Sequence, residues 1–329
     1  MLLLNEKEIR SVVTMREVIE ADKKAFRMIA NGDVEVPLRT GIKAPAHDAE
    51  FLFMPSYAPA EEAAAIKVIN IFPHNPAKGL DACPAQVLLI DGRTGVVAAL
   101  MDGATVTRLR TGASSGAAFD LLGKKDCRVG GLIGTGGQAA TQLEAMVCVR
   151  QLEEVRVFDL DRKLCEEFCV RMQEELRGYG ARIVPVKSAD EATADADLLI
   201  TVTPSPKPVF DGTKIKPGCT VSCVGTYEPH KHEMDPAILP RASKIICDHK
   251  ETALSETGDL LIPIADGLIT EDDILGSLGD VIDGRIPGRE NDDEIIVYET
   301  VGVGSQDLMA AKLIYEKAVA SGVGMKWGE

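Results

Sequence analysis

The chain has 329 residues, enough for two domains of ordinary size, and at 45% hydrophobic and 26% charged it can bury true cores and is not disordered. Its formal net charge of −15 argues against nucleic acid or an anionic membrane as the main partner, because both require a positive footprint. The start lacks a signal peptide, no apolar run spans a bilayer, and the 8 Cys form no C-x-x-C pair, so the chain reads as cytoplasmic with reduced thiols.

In chain order, Thr14-Met-Arg-Glu17 is a capping box, after which Val18, Ala21, Ala25 and Met28 recur at helical spacing until Asn31-Gly32 stops the helix. From Val34 to Ala99 the pattern changes to short β-like pieces: Glu50 to Met54, Ala64 to Ile71, Gln86 to Asp91 and Val96 to Met101. Asp91-Gly-Arg-Thr-Gly95 marks a hairpin turn, and this part predicts an antiparallel sheet with helices. Ala104 to Leu122 predicts one or two helices rich in small residues.

A strand–helix alternation follows. Arg128–Ile133, Val155–Asp159, Arg182–Pro185, Asp197–Thr201, Thr220–Val224 and Lys244–Cys247 are strand candidates, with helices such as Lys163 to Arg177 between them. Alternation of this kind means an α/β fold with a doubly wound parallel sheet. Later, Glu271 to Leu278 predicts a helix, Gly288 to Glu294 a polar loop, and Ile295–Tyr298 a strand. Ser305 is expected to cap a last helix carrying Leu308, Ala311 and Ile314, which returns to the first domain and makes it discontinuous. The expected division is 1–117 plus 305–329 against 118–304.

The most informative stretch is Val129 to Ala140. Leu132 and Ile133 end a buried strand, and Gly134, Gly136 and Ala139 give the G-x-G-x-x-A form of the dinucleotide fingerprint. Gly134 permits a tight turn, Gly136 lets backbone N–H groups approach a pyrophosphate at a helix N-terminus, and Ala139 keeps that helix close to the sheet. Asp159 falls about 20 residues further on, at the end of the next strand, where a carboxylate can accept both ribose hydroxyls. Strand, glycines, helix, strand and acid in that order read as a nicotinamide-dinucleotide site.

Other residues suit substrate chemistry. Arg110 sits among Thr111, Gly112, Ala113, Ser114 and Ser115, with open space for a guanidinium to fork onto a carboxylate. Lys67 lies inside the apolar run Ala65-Ile-Lys-Val-Ile69, either at a sheet edge or aimed into a pocket where burial lowers its pKa for proton transfer. Arg39 either joins the same cationic cluster or is a plain loop charge. The segment Val224 to Glu233 offers Tyr227, Glu228, His230 and His232 as acids or bases. His230 and His232 at i, i+2 with Glu233 could look like a metal set, but no further anchored ligand is evident and solvated loop histidines are the better reading, so no metal site is expected. Thr201-Val-Thr-Pro-Ser205 either lines a nicotinamide ribose through Thr201 and Thr203 or is a simple turn.

Taken together, Lys67 followed by Phe72-Pro-His-Asn-Pro76, Leu109-Arg-Thr-Gly-Ala113, Ile133-Gly-Thr-Gly-Gly-Gln-Ala139, Thr201 to Ser205 and Gly288 to Ile295 resemble the ornithine cyclodeaminase, mu-crystallin and archaeal alanine dehydrogenase family over nearly the whole chain. The resemblance implies a homodimer paired through the N-terminal domains, so the expected fold is a Rossmann-type doubly wound sheet plus a discontinuous α+β substrate-binding and dimerisation domain. By matching positions, Arg110 and Arg39 would hold a substrate carboxylate and Lys67 would act near the reacting carbon, with Tyr227 or Glu228 helping to move the proton. The dinucleotide would be held by a set comprising Thr111, Gly134, Gly136, Gly137, Gln138, Asp159, Thr201, Thr203 and Val224. Asp159 followed by Leu160 predicts NAD over NADP, with Arg162 as the nearby cation to watch.

Two departures bear on the reaction. Cyclodeaminases carry an aspartate where Tyr227 stands, and a glutamate, thought to meet a distal substrate amine, where Leu52 stands. The leading expectation is therefore an NAD-dependent oxidoreductase acting on the Cα–N bond of a small amino or cyclic imino acid. Redox-neutral ornithine cyclodeamination is the alternative, and a mu-crystallin-like binding protein ranks third.

Overall fold

The computed structural model describes residues 1–328. In chain order its elements are β1 (Leu2–Leu4), α1 (Glu6–Val12), α2 (Met15–Ala30), β2 (Thr40–Ala44), β3 (Ala49–Ala58), β4 (Ala63–Ile71), β5 (Ala85–Asp91), β6 (Val97–Asp102) and α3 (Gly103–Leu122). Then come β7 (Val129–Ile133), α4 (Ala139–Val149), β8 (Glu154–Phe158), α5 (Arg162–Glu175), β9 (Arg182–Pro185), α6 (Ala189–Thr193), β10 (Leu198–Thr201) and β11 (Thr220–Cys223). The chain ends with β12 (Lys244–Cys247), α7 (Lys250–Glu256), α8 (Gly258–Ala265), β13 (Ile274–Ser277), α9 (Leu278–Ile282), β14 (Ile296–Glu299), α10 (Gly304–Ser321) and β15 (Met325–Lys326). Two compact units form, one from Met1–Arg110 with the chain from Val303 onward, the other from Thr111–Gly302.

In the first unit the strands are ordered β15-β1-β6-β5-β4-β3-β2 among the described residues. Strands β2 to β6 form an antiparallel meander, as their hairpin turns dictate. Asp91 closes one hairpin by accepting the N–H groups of Arg93 and Thr94. The sheet is mixed rather than antiparallel throughout, because β1 runs parallel to β6. One face is buried under α10, on which α2 packs, and alternation along the strands puts Leu52, Met54, Lys67, Val87, Leu89 and Met101 on that side. Helix α2 begins at the capping box of Thr14 and Glu17 and stops at Asn31-Gly32, as its sequence requires.

The second unit is a parallel sheet ordered β13-β12-β14-β11-β10-β7-β8-β9 among the described residues. From β7 the chain winds outward to β8 and β9, then returns to place β10 against the other side of β7. That reversal is the topological switch point, where open α/β sheets leave a crevice beyond the strand ends. The central strands are buried on both faces (Leu198 to Thr201 and Ile296 to Glu299 are wholly buried), as a doubly covered sheet demands.

Two local expectations are corrected. Glu271 to Leu278 is not a helix: a short 3-10 turn at Glu271–Asp273 leads into β13, where Ile274, Gly276 and Ser277 pair in parallel with β12. The acidic start imitates a helix N-terminus, but the buried Ile274 pairs with Ile245 of β12, which favours the strand. Ser305 does not cap α10, which already starts at Gly304. The Val303 N–H is met instead by Gln306 Oε1 at 3.0 Å, and Gly304 is required because a Cβ there would lie 2.9 Å from the Pro55 carbonyl oxygen.

Candidate active site

The first unit builds a buried cationic pocket. Strand β4 lies between β3 and β5, so Lys67 is not at an edge, and its neighbours across the sheet are Met54 and Val87. Its side chain is only 1% exposed. An ammonium there needs a partner, and α10 supplies Asp307: Lys67 Nζ lies 2.9 Å from Oδ1, to which it donates, and 2.8 Å from Oδ2. Arg110, on α3, donates from Nε to the same Oδ1 at 3.2 Å and from Nη1 to Gln306 Oε1 at 3.3 Å. Gln306 is fixed in turn, its Nε2 donating to Asp22 Oδ2 at 2.8 Å.

Burial, reinforced by the Arg110 and Arg39 charges and opposed by Asp307, pushes the Lys67 ammonium down to about 7. A lysine with that pKa can give and take a proton near neutrality. Arg39 thus acts on the cluster electrostatically. Asp307 and Gln306 are further candidate site residues, by their contacts with Lys67 and Arg110, that the sequence pattern does not single out. Their only local signal was a pair of polar side chains opening an otherwise apolar helix face.

The second unit builds the dinucleotide cradle. Gly134 has φ +102° and stands so close to the next loop that an added Cβ would lie 2.6 Å from the Val202 carbonyl oxygen, so glycine is required twice over. At Gly136 and Gly137 an added Cβ would meet nothing within 4 Å. Among the described residues, the N–H groups of Gly136, Gly137 and Gln138 have no acceptor, and they stand where α4 begins. Free N–H groups, open space and the positive end of a helix suit a pyrophosphate. Thr111 Oγ1 and Gln138 Oε1 are buried polar atoms without protein partners, among the described residues, which suits further ligand contacts.

Asp159 follows β8 and is half-buried. Its Oδ2 accepts the N–H and the hydroxyl of Thr135, both at 2.8 Å, and its Oδ1 accepts the Asp161 N–H at 2.9 Å. The acid therefore locks the glycine turn while keeping lone-pair capacity on Oδ1 for one hydroxyl.

The loops after β10 and β11 are braced by Glu233. Its carboxylate accepts the Thr203 N–H and hydroxyl at 2.7 Å each, the Gly225 N–H at 2.7 Å and the Val224 N–H at 3.2 Å. Burial nevertheless pushes Glu233 up, and burial with the neighbouring Glu233 charge takes Asp259 up to about 7. Glu233 is thus a buttress rather than a metal ligand. His230 is mostly exposed, 3.4 Å from Glu228, and among the described residues no cluster suits a metal. Glu228 pairs with Lys231 at 2.5 Å within its own loop. Thr201 closes β10, Val224 follows β11, and Tyr227 lies in the same loop as Glu228. The Gly288 to Glu294 segment is architectural: Arg289 donates to the carbonyls of Leu122 and Glu294 and to Thr220 Oγ1, and Glu294 pairs with Lys244.

Residues 1–322 match the model of the ornithine cyclodeaminase/mu-crystallin family. The chain belongs to that family. It is 35% identical over 324 residues to a Delta(1)-pyrroline-2-carboxylate reductase of Bacillus cereus, covering 98% of each chain. Among solved structures it is similar to the Thermococcus litoralis Delta(1)-pyrroline-2-carboxylate reductase in complex with NADH and L-proline, with a TM-score of 0.94, 40% identity, and coverage of 99% of this chain and 100% of that one. An archaeal alanine dehydrogenase dimer with bound NAD matches with a TM-score of 0.91, 34% identity, and coverage of 100% and 99%. The family's fold is the one the two units display. No helix among the described residues is long and apolar enough to cross a membrane.

Proposed function

We propose that this family member is an NAD-dependent oxidoreductase that reduces the C=N bond of a small cyclic imino acid such as pyrroline-2-carboxylate, and reversibly oxidises the amino acid product. The observation that carries the reading is Lys67, wholly buried and paired with Asp307 beside a guanidinium suited to a carboxylate, where burial lowers its pKa to about 7. A cyclic imine accepts hydride at Cα only as its protonated nitrogen gains an electron pair. Lys67 Nζ would supply that proton, and Arg110 with Arg39 would hold the carboxylate. Tyr227 is retained as a second proton-handling candidate, whereas Glu228 is engaged with Lys231. When bound, the nicotinamide supplies or accepts the hydride. Thr111, Gly134, Gly136, Gly137, Gln138, Asp159, Thr201, Thr203 and Val224 would position the dinucleotide.

NAD is favoured over NADP. A 2′-phosphate would meet the Asp159 carboxylate, Leu160 offers no cation and is 94% exposed, and Arg162 reaches along its own helix to Glu166 at 2.8 Å. The catalytic efficiency with NADH is expected to exceed that with NADPH by roughly tenfold or more, a modest charge–charge discrimination. A higher efficiency with NADPH would overturn this cofactor assignment. Cyclodeamination is disfavoured, because Leu52 and Met54 line the same sheet face as Lys67 and offer no anion to a distal ammonium.

The protein is proposed to be a homodimer paired through the first unit. The sheet face away from α10 carries partly exposed Ile66, Val68, Leu88, Ile90 and Leu100, an apolar row suited to pairing with a second copy. Leu88→Asp should halve the mass measured by light scattering while leaving the circular dichroism spectrum unchanged. An unaltered mass would place the interface elsewhere.

A further inference from the structure

Asp307 touches both cations of the pocket, yet it is a single carboxylate. Lys67 Nζ is 2.8 Å from its Oδ2 and Arg110 Nε is 3.2 Å from its Oδ1, and all three side chains are almost wholly buried. The charged groups acting on Lys67 come from three elements: Arg110 on α3, Asp307 on α10, and Arg39 from the segment before β2. Asp307 is in direct contact with both cations, whereas the buried Asp22 reaches the cluster through Gln306 and Arg39 acts on Lys67 through its charge. Gln306, anchored to Asp22 and to the Val303 N–H, holds the guanidinium without neutralising it.

We propose that Asp307 is the positioning residue of this pocket: it seats Lys67 and Arg110 on one shared carboxylate, so that a substrate carboxylate arriving at the two cations binds in linkage with protonation of Lys67. The inference rests on the imino acid reading for the identity of the substrate, but the linkage itself concerns any small carboxylate. An incoming anion near Lys67 favours its charged form, so the proton required for imine reduction is recruited by the same group that anchors the substrate. Asp307 sets the starting point of that exchange. Without its charge, Arg110 and Arg39 would weigh more heavily on Lys67, and the ammonium would lose its proton more readily.

The test uses the full chain with NADH and two variants, Asp307→Asn and Asp307→Glu. In the wild type, calorimetric titration with pyrrole-2-carboxylate, a planar unreactive carboxylate, in buffers of different ionisation enthalpy should show net proton uptake at pH 8, above the Lys67 pKa of about 7. In Asp307→Asn, the pH at which reductive kcat/KM falls by half should move down by about 1–3 units, the shift an opposite charge within contact distance produces. Asp307→Glu should restore much of it. A purely structural role would lower activity without moving that midpoint. Binding without proton uptake in the wild type would overturn the proposal whatever the variants' stability, and so would an unmoved midpoint in a folded Asp307→Asn. Proton-linked carboxylate binding without turnover of any imine would instead sink the reductase reading and leave this one standing.

Discussion

Lys67→Met lowers kcat/KM for imine reduction by about 10²–10⁴-fold, the usual worth of a positioned acid or base, while NADH binding measured by fluorescence stays within about twofold. Methionine keeps most of the volume in the row Met54–Lys67–Val87, so the sheet should close around it without a cavity. The pH behaviour of the unaltered protein sharpens the expectation. Lys67 titrates at about 7, far below the ordinary lysine range, because burial and the adjacent guanidinium disfavour its charge. Reduction needs the ammonium, so its kcat/KM should fall as pH rises through about 7. Oxidation of the amino acid needs the neutral amine, so its kcat/KM should rise over the same interval. Lys67→Met should erase both limbs. Full activity in that variant would remove Lys67 from the chemistry.

Arg110→Met should act mainly on KM. A charge-assisted contact to a carboxylate is worth about 1.5–3 kcal/mol, which corresponds to roughly a 10–150-fold weaker grip on the substrate. The same change removes a positive neighbour that holds Lys67 down, so the reduction limb should shift to higher pH. The two effects together separate a carboxylate anchor from a structural arginine. If KM were unchanged and only thermal stability fell, Arg110 would be a brace for Asp307 and nothing more.

How much was legible in the sequence follows from how local each signal was. The dinucleotide cradle could be read because its parts are consecutive: a strand end, Gly134 in a left-handed turn, and open glycines before a helix. Lys67 could be read as anomalous because a charge inside an apolar strand has few explanations. Its partner could not, since Asp307 lies 240 residues away and only the packing of α10 against β4 brings the two together. The strand β13 was hidden for the opposite reason. Its acidic preface is a sound local helix signal, and tertiary pairing with β12 overrode it. Strands β1 and β15 are too short to carry a pattern, and each exists only because the first unit's sheet offers an edge to pair with.

Glu233 shows a third case. His230, His232 and Glu233 share one loop without reading as a metal set, and the sequence does not show that the Glu233 carboxylate turns inward to gather N–H groups from two strand-end loops. Residue type in a loop indicates capability, and only the donors around it decide the use.

The most direct measurement mixes the purified protein with NADH and pyrroline-2-carboxylate and follows NADH absorbance and proline mass in the same sample. The account predicts one NADH consumed for each proline formed. Proline appearing from ornithine with no net change in NADH, or no consumption with any small imino acid, would contradict it.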